Sequence, residues 1–440
     1  MLKRKIYQEL LHWKSHRKDE CLLIKGARQI GKTYIVRLFG EQEYESYIEM
    51  NFLKNPNLRE IFTGDLSSTE IWKRMTAYLP GVKLIEGKTL IFLDEIQKCA
   101  KARMAMKFLA EDRRFDVIAS GSLLGLHYGQ DADDEVEEVE SIPVGYEHPL
   151  IMHSLDFEEF LWANRYGEDA VSYLRTFYDS RTKVPNGIHE KYTQLFREYA
   201  VVGGMPEVVQ AFVEHQDFGE VQEIQEKILA SYDDDISNHA KGAEKVKVRA
   251  VYASLPRQLA REYRKFKFSE VEKRANARKY GDSITWLVDA NLVHLCRNVH
   301  EPYLPLTANA MDDEFKVYVH DTGLLLAQYG FQTKLAMLNG TLLGNAKGGI
   351  YENLIGDMLI KRGYKLHYYK ASDSTLELEF LIEKDGGIVP VEVKAGNTST
   401  KSLNRFIETY HPAAAYKLID GNVGEADGKI TLPHYLAMFI

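Results

Sequence analysis

The chain has 440 residues, of which 45% are hydrophobic and 27% charged, and its formal net charge is -8. A single hydrophobic core rarely serves a chain of this length, so we expect two to four domains of the soluble globular kind. The negative charge excludes a protein that coats nucleic acid over its whole surface, so any contact with nucleic acid must be a local patch.

The first elements surround a glycine-rich stretch. A helical pattern over residues 5–16 precedes an apolar run typical of a strand, residues 21–24, and helical spacing resumes at Tyr34. Between them lie eight residues that fit the phosphate-binding pattern G-x-x-x-x-G-K-[ST]: Gly26, Ala27, Arg28, Gln29, Ile30, Gly31, Lys32 and Thr33. In this pattern backbone N–H groups bind a phosphate chain, the lysine neutralises it and the hydroxyl holds Mg²⁺. The sequence therefore predicts binding of ATP with Mg²⁺. The alternative is a glycine turn before a surface helix, which would not require both the flanking strand and the flanking helix.

A second acidic segment follows at residues 89–95, where an apolar run ends in Asp94 and Glu95. Parallel strands bind ligands at their carboxyl ends, so Asp94 is predicted to hold Mg²⁺ opposite the Thr33 hydroxyl. Glu95 is then the group that orients or deprotonates an attacking water. The alternative is that both carboxylates only cap the next helix, which we disfavour because a phosphate loop precedes them.

Further strands are predicted at residues 47–52 and 115–122, alternating with helical stretches. This alternation is typical of an α/β fold with a doubly wound parallel sheet, and together with the phosphate loop it predicts a P-loop NTPase domain over residues 1–165. Ser120 falls at the tip of the strand expected beside Asp94, where it would sense the γ-phosphate or the attacking water. A serine that opens an ordinary turn explains the same spacing equally well.

The middle of the chain changes character. Residues 130–140 form an acidic run that we interpret as a mobile loop rather than a calcium site, and residues 141–145 and 150–153 are predicted edge strands. Asp156 is the expected N-cap of a following helix. Residues 166–250 are predicted to form a helical lid domain.

Residues 251–335 mix helices with short strands and are interpreted as a winged-helix-like module. Its segment 257–279 is rich in basic side chains, namely Arg257, Arg261, Arg264, Lys265, Lys267, Lys273, Arg274, Arg278 and Lys279. Such a segment could bind a DNA backbone, or it could be a solvated helix face. His320 and Asp321 are adjacent in a predicted strand and would point to opposite faces, so we interpret both as structural.

The last part of the chain, residues 336–440, contains two alternating runs that predict a β-hairpin. Glu392 and Lys394 are two residues apart and project to one face. If Glu379 on the partner strand faces the same way, the three groups could hold a divalent cation and position a water against a phosphodiester. A charged solvent face of the hairpin is an equally good interpretation.

Cysteine usage and hydropathy concern the whole chain. Three scattered cysteines, Cys21, Cys99 and Cys296, favour a reducing compartment over disulfides or thiolate metal sites. No apolar run approaches the length needed to span a membrane, and no signal-peptide pattern opens the chain. We therefore expect a cytoplasmic protein without membrane contact.

Several segments occur in an order that resembles a known family. They are GARQIGKT, LIFLDEIQ, VIASGS, DFEEFLWA, GGMPEVV, KVYVHDTGLL, IYENLIGDML and ELEFLIE followed by VPVEVKAG. The chain resembles a prokaryotic AAA+ ATPase family, related to the archaeal ATPase group, that carries a C-terminal domain of unknown function. The resemblance implies a PD-(D/E)XK nuclease fold, similar to restriction endonucleases, for residues 336–440, with Glu352, Glu379, Glu392 and Lys394 in its metal site. Two positions depart from the family: Glu379 stands where Asp is usual, and Gly145-Tyr146 stands where many members have Gly-Arg.

These predictions combine into an Mg²⁺-dependent AAA+-type ATPase whose nucleotide state repositions the lid and the C-terminal modules. Glu95 and Ser120 are its expected catalytic residues. Two alternatives remain open, an ATP-gated DNA-binding protein with an inactive nuclease-like tail and an active Mg²⁺-dependent DNA nuclease. The expected partners are ATP, DNA through segment 257–279 and the C-terminal domain, and a protein partner or further copies of the chain.

Overall fold

The computed structural model describes residues 2–16, 19–122, 145–240, 242, 244–371, 376–395 and 400–440. The acidic run 130–140 and all but the last residue of the predicted strand 141–145 lie outside these ranges. The chain divides into two compact units, one formed mainly by residues 4–153 and one formed mainly by residues 154–440.

Within its described residues, the first unit contains nine α-helices and β-strands. They are α1 (Ile6–His16), β1 (Cys21–Gly26), α2 (Lys32–Glu43), β2 (Ser46–Asn51), α3 (Ser68–Tyr78), β3 (Thr89–Asp94), α4 (Ala100–Asp112), β4 (Asp116–Ser122) and β5 (Glu147–Ile151). The five strands form one sheet in the order β2-β3-β4-β1-β5, and every pairing is parallel. All six residues of β3 are buried, as expected for a strand covered on both faces. The prediction of a doubly wound parallel sheet is confirmed.

The second unit begins with helices. They are α5 (Phe157–Ala163), α6 (Glu168–Ser180), α7 (Asn186–Val202), α8 (Pro206–His215), α9 (Phe218–His239), α10 (Glu244–Leu259), α11 (Ala277–Asp289), α12 (Thr322–Tyr329), α13 (Phe331–Leu338), α14 (Gly344–Lys361) and α15 (Lys401–Tyr410). Asp156 caps α5 as predicted, because its side chain accepts the Glu159 N–H at 2.8 Å and the Glu159 carboxylate accepts the Asp156 N–H at 3.0 Å.

The strands of the second unit form one mixed sheet. They are β6 (Val293–Val299), β7 (Ala310–Val319), β8 (His367–Lys370), β9 (Glu377–Lys384), β10 (Gly387–Val393), β11 (Tyr416–Ile419), β12 (Gly424–Ala426) and β13 (Lys429–Pro433). Their order is β12-β13-β11-β10-β9-β8-β6-β7. The predicted hairpin is confirmed as β9 and β10, which pair antiparallel around a turn at Asp385 and Gly386.

This sheet corrects the predicted division of the C-terminal half. The sequence predicts a separate winged-helix-like module over residues 251–335, which contain β6 and β7, but β6 pairs with β8 and so joins the same sheet as the hairpin. The proposed boundaries after residues 250 and 335 both fall inside helices, α10 and α13. Long-range strand pairing decided the architecture here, and local patterns do not report it.

In the described residues, no helix combines the length and apolar character that crossing a bilayer requires.

Candidate nucleotide-binding site

The glycine-rich stretch forms the turn between β1 and α2. Gln29 and Gly31 both have left-handed backbone angles, with φ of 64° and 90°, and Gly31 is the N-cap of α2. A β-carbon on Gly26 would lie 2.4 Å from the carbonyl oxygen of Met152, so only glycine fits there. Ile30 is fully buried and anchors the middle of the loop to the core. Such a turn, opening a helix, turns backbone N–H groups toward an anion.

Lys32 lies in the first turn of α2, and its side chain folds back over the loop. Its ammonium group donates to the carbonyl oxygens of Gly26 at 3.0 Å and Ala27 at 2.7 Å. The side chain is buried, so its charge acts in surroundings where screening by water is weak. This arrangement concentrates positive charge at the mouth of the loop.

The loop and the acidic strand end meet as predicted. The Thr33 hydroxyl lies 3.0 Å from Asp94 Oδ2 and 3.2 Å from Oδ1. Asp94 is the last residue of β3 and is only 1% exposed. A hydroxyl beside a carboxylate supplies the hard oxygen ligands that Mg²⁺ prefers, so these two residues fit that ion.

Two further side chains bind the same carboxylate. Strand β4 pairs with β3, as predicted, and the Ser120 hydroxyl donates to Asp94 Oδ1 at 2.5 Å. From β2, on the other side of β3, the Asn51 amide donates to Asp94 Oδ2 at 2.6 Å. The Asn51 side-chain oxygen Oδ1 accepts the N–H groups of Leu53 and Lys54, and this fixes the orientation of the amide.

Asn51 is a residue that the sequence interpretation missed. A polar residue at the end of a predicted strand was the available signal, because the carboxyl ends of neighbouring parallel strands meet at one edge.

Glu95 follows Asp94 directly and has a left-handed backbone with φ of 56°, which is rare for a residue other than glycine. Its carboxylate accepts a hydrogen bond from the Gln97 amide at 2.5 Å. Strained backbone angles concentrate at functional sites, where the surrounding structure holds a side chain in place. The geometry gives Glu95 a defined orientation next to the Asp94 carboxylate.

Tyr146, which stands where many members of the resembled family have arginine, lies at the amino ends of β1 and β5. It comes before β5, and its carbonyl oxygen accepts the N–H of Cys21, the first residue of β1. Strand β1 is six residues long, so Tyr146 and the Gly26 loop are separated by about 16 Å along the strand direction. A side chain at position 146 therefore does not reach the loop of its own chain.

The C-terminal candidate residues come together only in part. Lys394 Nζ lies 2.7 Å from Glu379 Oε1 and 2.8 Å from Glu392 Oε1. Burial and the neighbouring Glu379 charge raise the pKa of Glu392 to about 7. Burial favours the neutral amine of Lys394, but the two carboxylates hold its pKa above the usual value. Within the described ranges, no group of three or more His, Cys, Asp or Glu side chains is arranged to hold a metal ion.

Glu352 lies in an adjoining cluster of charged residues, whose cations Arg264 and Lys316 also interact electrostatically with Glu379. The Glu352 carboxylate accepts hydrogen bonds from Arg264 at 2.6 Å, Lys316 at 2.9 Å and Tyr318 at 2.6 Å. Burial alone would raise the pKa of Glu352, but the charges of Lys316 and Arg264 lower it to about 2. The carboxylate is 1% exposed, and its oxygens are engaged by these three groups. We therefore interpret Glu352 as a core ion-pair residue.

The basic segment 257–279 is largely neutralised within the chain. Five of its nine basic side chains form ion pairs, which are Arg257 and Arg261 with Glu270, Arg264 with Glu352, Lys265 with Glu314, and Lys279 with Glu272. Paired cations release fewer counterions when they meet a phosphate backbone. The local charge excess expected from the sequence is therefore smaller in the folded chain.

His320 and Asp321 have the structural roles that the sequence suggested. Asp321 caps α12 by accepting the Leu324 N–H at 3.1 Å, and it also accepts the Gly204 N–H at 2.7 Å. His320 is buried, and its ring lies 3.3 Å from the Tyr232 hydroxyl.

The first unit is thus a parallel α/β sheet that presents a phosphate-binding loop beside an acidic strand end. Residues 18–161 match a family model described as an AAA domain. Two further matches follow it along the chain. Residues 193–335 match the domain of unknown function DUF8612, and residues 347–435 match the domain of unknown function DUF4143.

Solved structures with partial similarity come from several prokaryotes. The Walker-type ATPase PABY2304 of Pyrococcus abyssi has a TM-score of 0.44 and 14% identity, covering 75% of this chain and 96% of that one. A RuvB mutant of Thermotoga maritima has a TM-score of 0.30 and 11% identity, covering 67% and 89%. DnaA of Aquifex aeolicus bound to AMPPCP has a TM-score of 0.29 and 11% identity, covering 65% and 86%. No curated protein matches the chain.

Proposed function

We propose that the chain is an Mg²⁺-dependent ATPase of the AAA class. The observation that carries the proposal is the contact between Thr33 Oγ1 and Asp94 Oδ2 at 3.0 Å, beside the buried ammonium of Lys32. A hydroxyl, a carboxylate and a cation at one end of a phosphate loop are the groups that phosphoryl transfer from ATP requires.

Each residue has a distinct role in this proposal. The N–H groups of residues 26–33 bind the phosphates, and Lys32 contacts the β- and γ-phosphates. Thr33 and Asp94 hold Mg²⁺, which neutralises charge that develops on the transferring phosphoryl group. Glu95 takes a proton from the attacking water, and Ser120 senses the γ-phosphate through its bond to Asp94.

The test measures nucleotide binding and turnover separately. Lys32→Ala should weaken ATP binding about 10- to 100-fold, because a hydrogen bond to a charged group contributes about 1.5–3 kcal/mol. Glu95→Gln should keep binding and lower turnover about 10²- to 10⁴-fold, the usual contribution of a general base. Lys73→Ala is the matched control, since Lys73 forms an exposed ion pair with Glu70 in the same unit. Unchanged binding in Lys32→Ala would refute the proposal.

A second candidate function rests on the C-terminal unit. The side chains of Glu379, Glu392 and Lys394 meet, and Glu392 Oε2 is buried without a hydrogen-bond partner. These observations support metal-assisted hydrolysis of a phosphodiester, in which two carboxylates bind the ion and the lysine contacts the phosphate.

Incubation with plasmid DNA and Mg²⁺ or Mn²⁺ separates a nuclease from a DNA-binding protein. Cleavage that is lost in Lys394→Ala supports the nuclease. A gel shift without cleavage supports an ATP-gated DNA-binding protein whose tail is inactive. Lys384→Ala is a suitable control, because Lys384 lies on β9 but contacts Ile440 rather than the carboxylates.

A further inference from the structure

Residues 152–155 form a short segment that is hydrogen-bonded at both ends. Several of its partners belong to none of the sequence motifs described above. Its first two residues belong to the AAA unit and its last two to the second unit. We propose that this segment couples occupancy of the phosphate loop to the hydrogen-bonded core of the second unit. Arg4 and Tyr199 are then positioning residues for nucleotide binding. The inference rests on the proposed ATP binding and adds a route by which the second unit regulates it.

On the AAA side, the segment is built into the loop. The Met152 N–H donates to the carbonyl oxygen of Lys25 at 2.8 Å, and the Met152 carbonyl oxygen packs against Gly26 so closely that no β-carbon fits between them. Residue 152 therefore shifts whenever the first residue of the loop shifts.

Arg4 connects the next residue of the segment, His153, to the same loop. Its guanidinium donates to the carbonyl oxygen of Ile30 at 3.2 Å and to that of His153 at 2.6 Å. Arg4 is buried, and its planar fork fixes the spacing of these two carbonyls. Arg4 is thus hydrogen-bonded to both the loop and the segment, although it lies more than twenty residues before the loop in the chain.

On the other side, Ser154 and Leu155 are held by three different parts of the second unit. The Ser154 hydroxyl donates to Asp321 Oδ2 at 3.2 Å and accepts from Lys361 Nζ at 2.9 Å. The Leu155 N–H donates to the Gly204 carbonyl oxygen at 2.7 Å. Both residues are buried.

The Leu155 carbonyl oxygen is held equally well. It accepts the Tyr199 hydroxyl at 2.8 Å and Lys361 Nζ at 3.1 Å, and a β-carbon on Gly204 would lie 2.0 Å from it. We call Tyr199, Gly204, Asp321 and Lys361 the clamp. The proposed ATPase chemistry uses neither the Gly203-Gly204 turn nor Asp321. The clamp gives both of them a role.

The segment is short. Three peptide steps join Met152 to Leu155, and consecutive Cα atoms are 3.8 Å apart. Because the residues at both ends of the segment are hydrogen-bonded, we infer that ordering of the loop is transmitted along these steps. Phosphate binding that orders the loop therefore also stabilises the clamp, and by thermodynamic reciprocity the clamp strengthens phosphate binding.

The first test is hydrogen–deuterium exchange of the wild-type protein with and without Mg²⁺ and a non-hydrolysable ATP analogue. We expect amide exchange in the peptide that contains Gly203 and Gly204 to slow when the analogue binds. A purely structural clamp would show no such response. This measurement needs no substitution, so misfolding cannot obscure it.

The second test is a double-mutant cycle on nucleotide affinity. Arg4→Lys keeps the charge but loses the fork, and Tyr199→Phe removes one hydroxyl from the clamp. Each should weaken analogue binding at least about fivefold, the lower end of typical coupling. The loss of affinity in the double variant should be smaller than the product of the two single losses, because breaking either end already uncouples the segment. Tyr252→Phe is the matched control, since the Tyr252 hydroxyl is buried in the same unit without a hydrogen-bond partner.

The outcomes distinguish this inference from the proposed function. If the wild type binds the analogue, unchanged exchange in the clamp together with wild-type affinity in Tyr199→Phe would overturn the coupling alone. If the wild type binds no nucleotide, the proposed function and the coupling both fail.

Discussion

The Thr33 hydroxyl lies 3.0 Å from Asp94 Oδ2, so the start of α2 and the end of β3 meet at one carboxylate. The two residues are 61 positions apart in the chain. Asn51 and Ser120, at the ends of the strands on either side of β3, bind the same carboxylate. Asp94 is therefore held by three neighbouring elements, and substitutions in any of them should alter how it binds a metal.

Asn51→Ala should lower affinity for Mg²⁺ with ATP about tenfold while leaving the fold intact. The Asn51 amide donates to Asp94 at 2.6 Å, and a hydrogen bond to a charged acceptor contributes about 1.5–3 kcal/mol. Titration of a fluorescent ATP analogue at several Mg²⁺ concentrations measures the effect. The exposed Asn57 supplies a control, and equal affinities in Asn51→Ala and Asn57→Ala would contradict the role given to Asn51.

Gln97→Ala should lower turnover about tenfold without changing nucleotide affinity. Gln97 donates to the Glu95 carboxylate at 2.5 Å, and small losses of orientation at a catalytic group are costly. Steady-state kinetics together with equilibrium binding separates kcat from affinity. Lys101→Ala, on the exposed side of α4, is the control, and a change confined to affinity would rule out this role for Gln97.

Glu352→Gln should reduce the free energy of unfolding by about 3–5 kcal/mol at neutral pH, because it leaves the buried Lys316 and Arg264 without their counter-charge. The pKa of Glu352 is lowered to about 2, so the folded state favours the carboxylate. Its stabilising contribution is present above the usual pKa of 4.5 and is lost as the pH falls toward 2. The difference from wild type should therefore shrink in acid.

Denaturant unfolding at pH 7 and pH 3 measures this difference. Glu425→Gln is the control, because Glu425 forms an exposed ion pair with Arg181 and should change stability by less than about 1 kcal/mol. A Glu352→Gln protein as stable as wild type at pH 7 would show that the ion-pair cluster does not support the fold.

Glu392→Gln should stabilise the protein at pH 8 relative to wild type, and much less at pH 5. The pKa of Glu392 is raised to about 7, so the folded state binds a proton that the unfolded state releases near 4.5. Wild-type stability therefore falls as the pH rises from about 4.5 to 7, by about 1–3 kcal/mol. The variant carries no such proton and should escape this loss. Unfolding at both pH values tests the sign, with the exposed Glu408→Gln as control.

The nucleotide site was largely predictable from the sequence, because its parts are local. The spacing of Gly26, Gly31 and Lys32 specifies a strand, a turn and a helix start, and an apolar run that ends in Asp94 specifies a buried strand end. Asn51 carries only the general signal of a polar residue at the end of a strand, and Arg4 belongs to no recognisable pattern. Their roles follow from the order of the strands and from the path of the N-terminal segment.

In the C-terminal half, less of the structure was predictable from the sequence. The alternation around Glu379 and Glu392 predicted a hairpin, but not that β6 would pair with β8 and extend the same sheet. The resemblance implies a metal site that includes Glu352, but not the ion pairs that Glu352 forms with Lys316 and Arg264. A charged residue in a sequence does not reveal which partner it will meet.

The sequence alone therefore determined that the chain carries a phosphate loop, an acidic strand end and an α/β sheet to hold them. These features are encoded by residues close together in the chain, whose spacing and backbone preferences act locally. The tertiary structure alone decided which side chains bind Asp94, which cations neutralise Glu352, and how residues 152–155 are bonded at both ends. Those contacts join segments far apart in sequence, and only the packing of the complete chain brings them together.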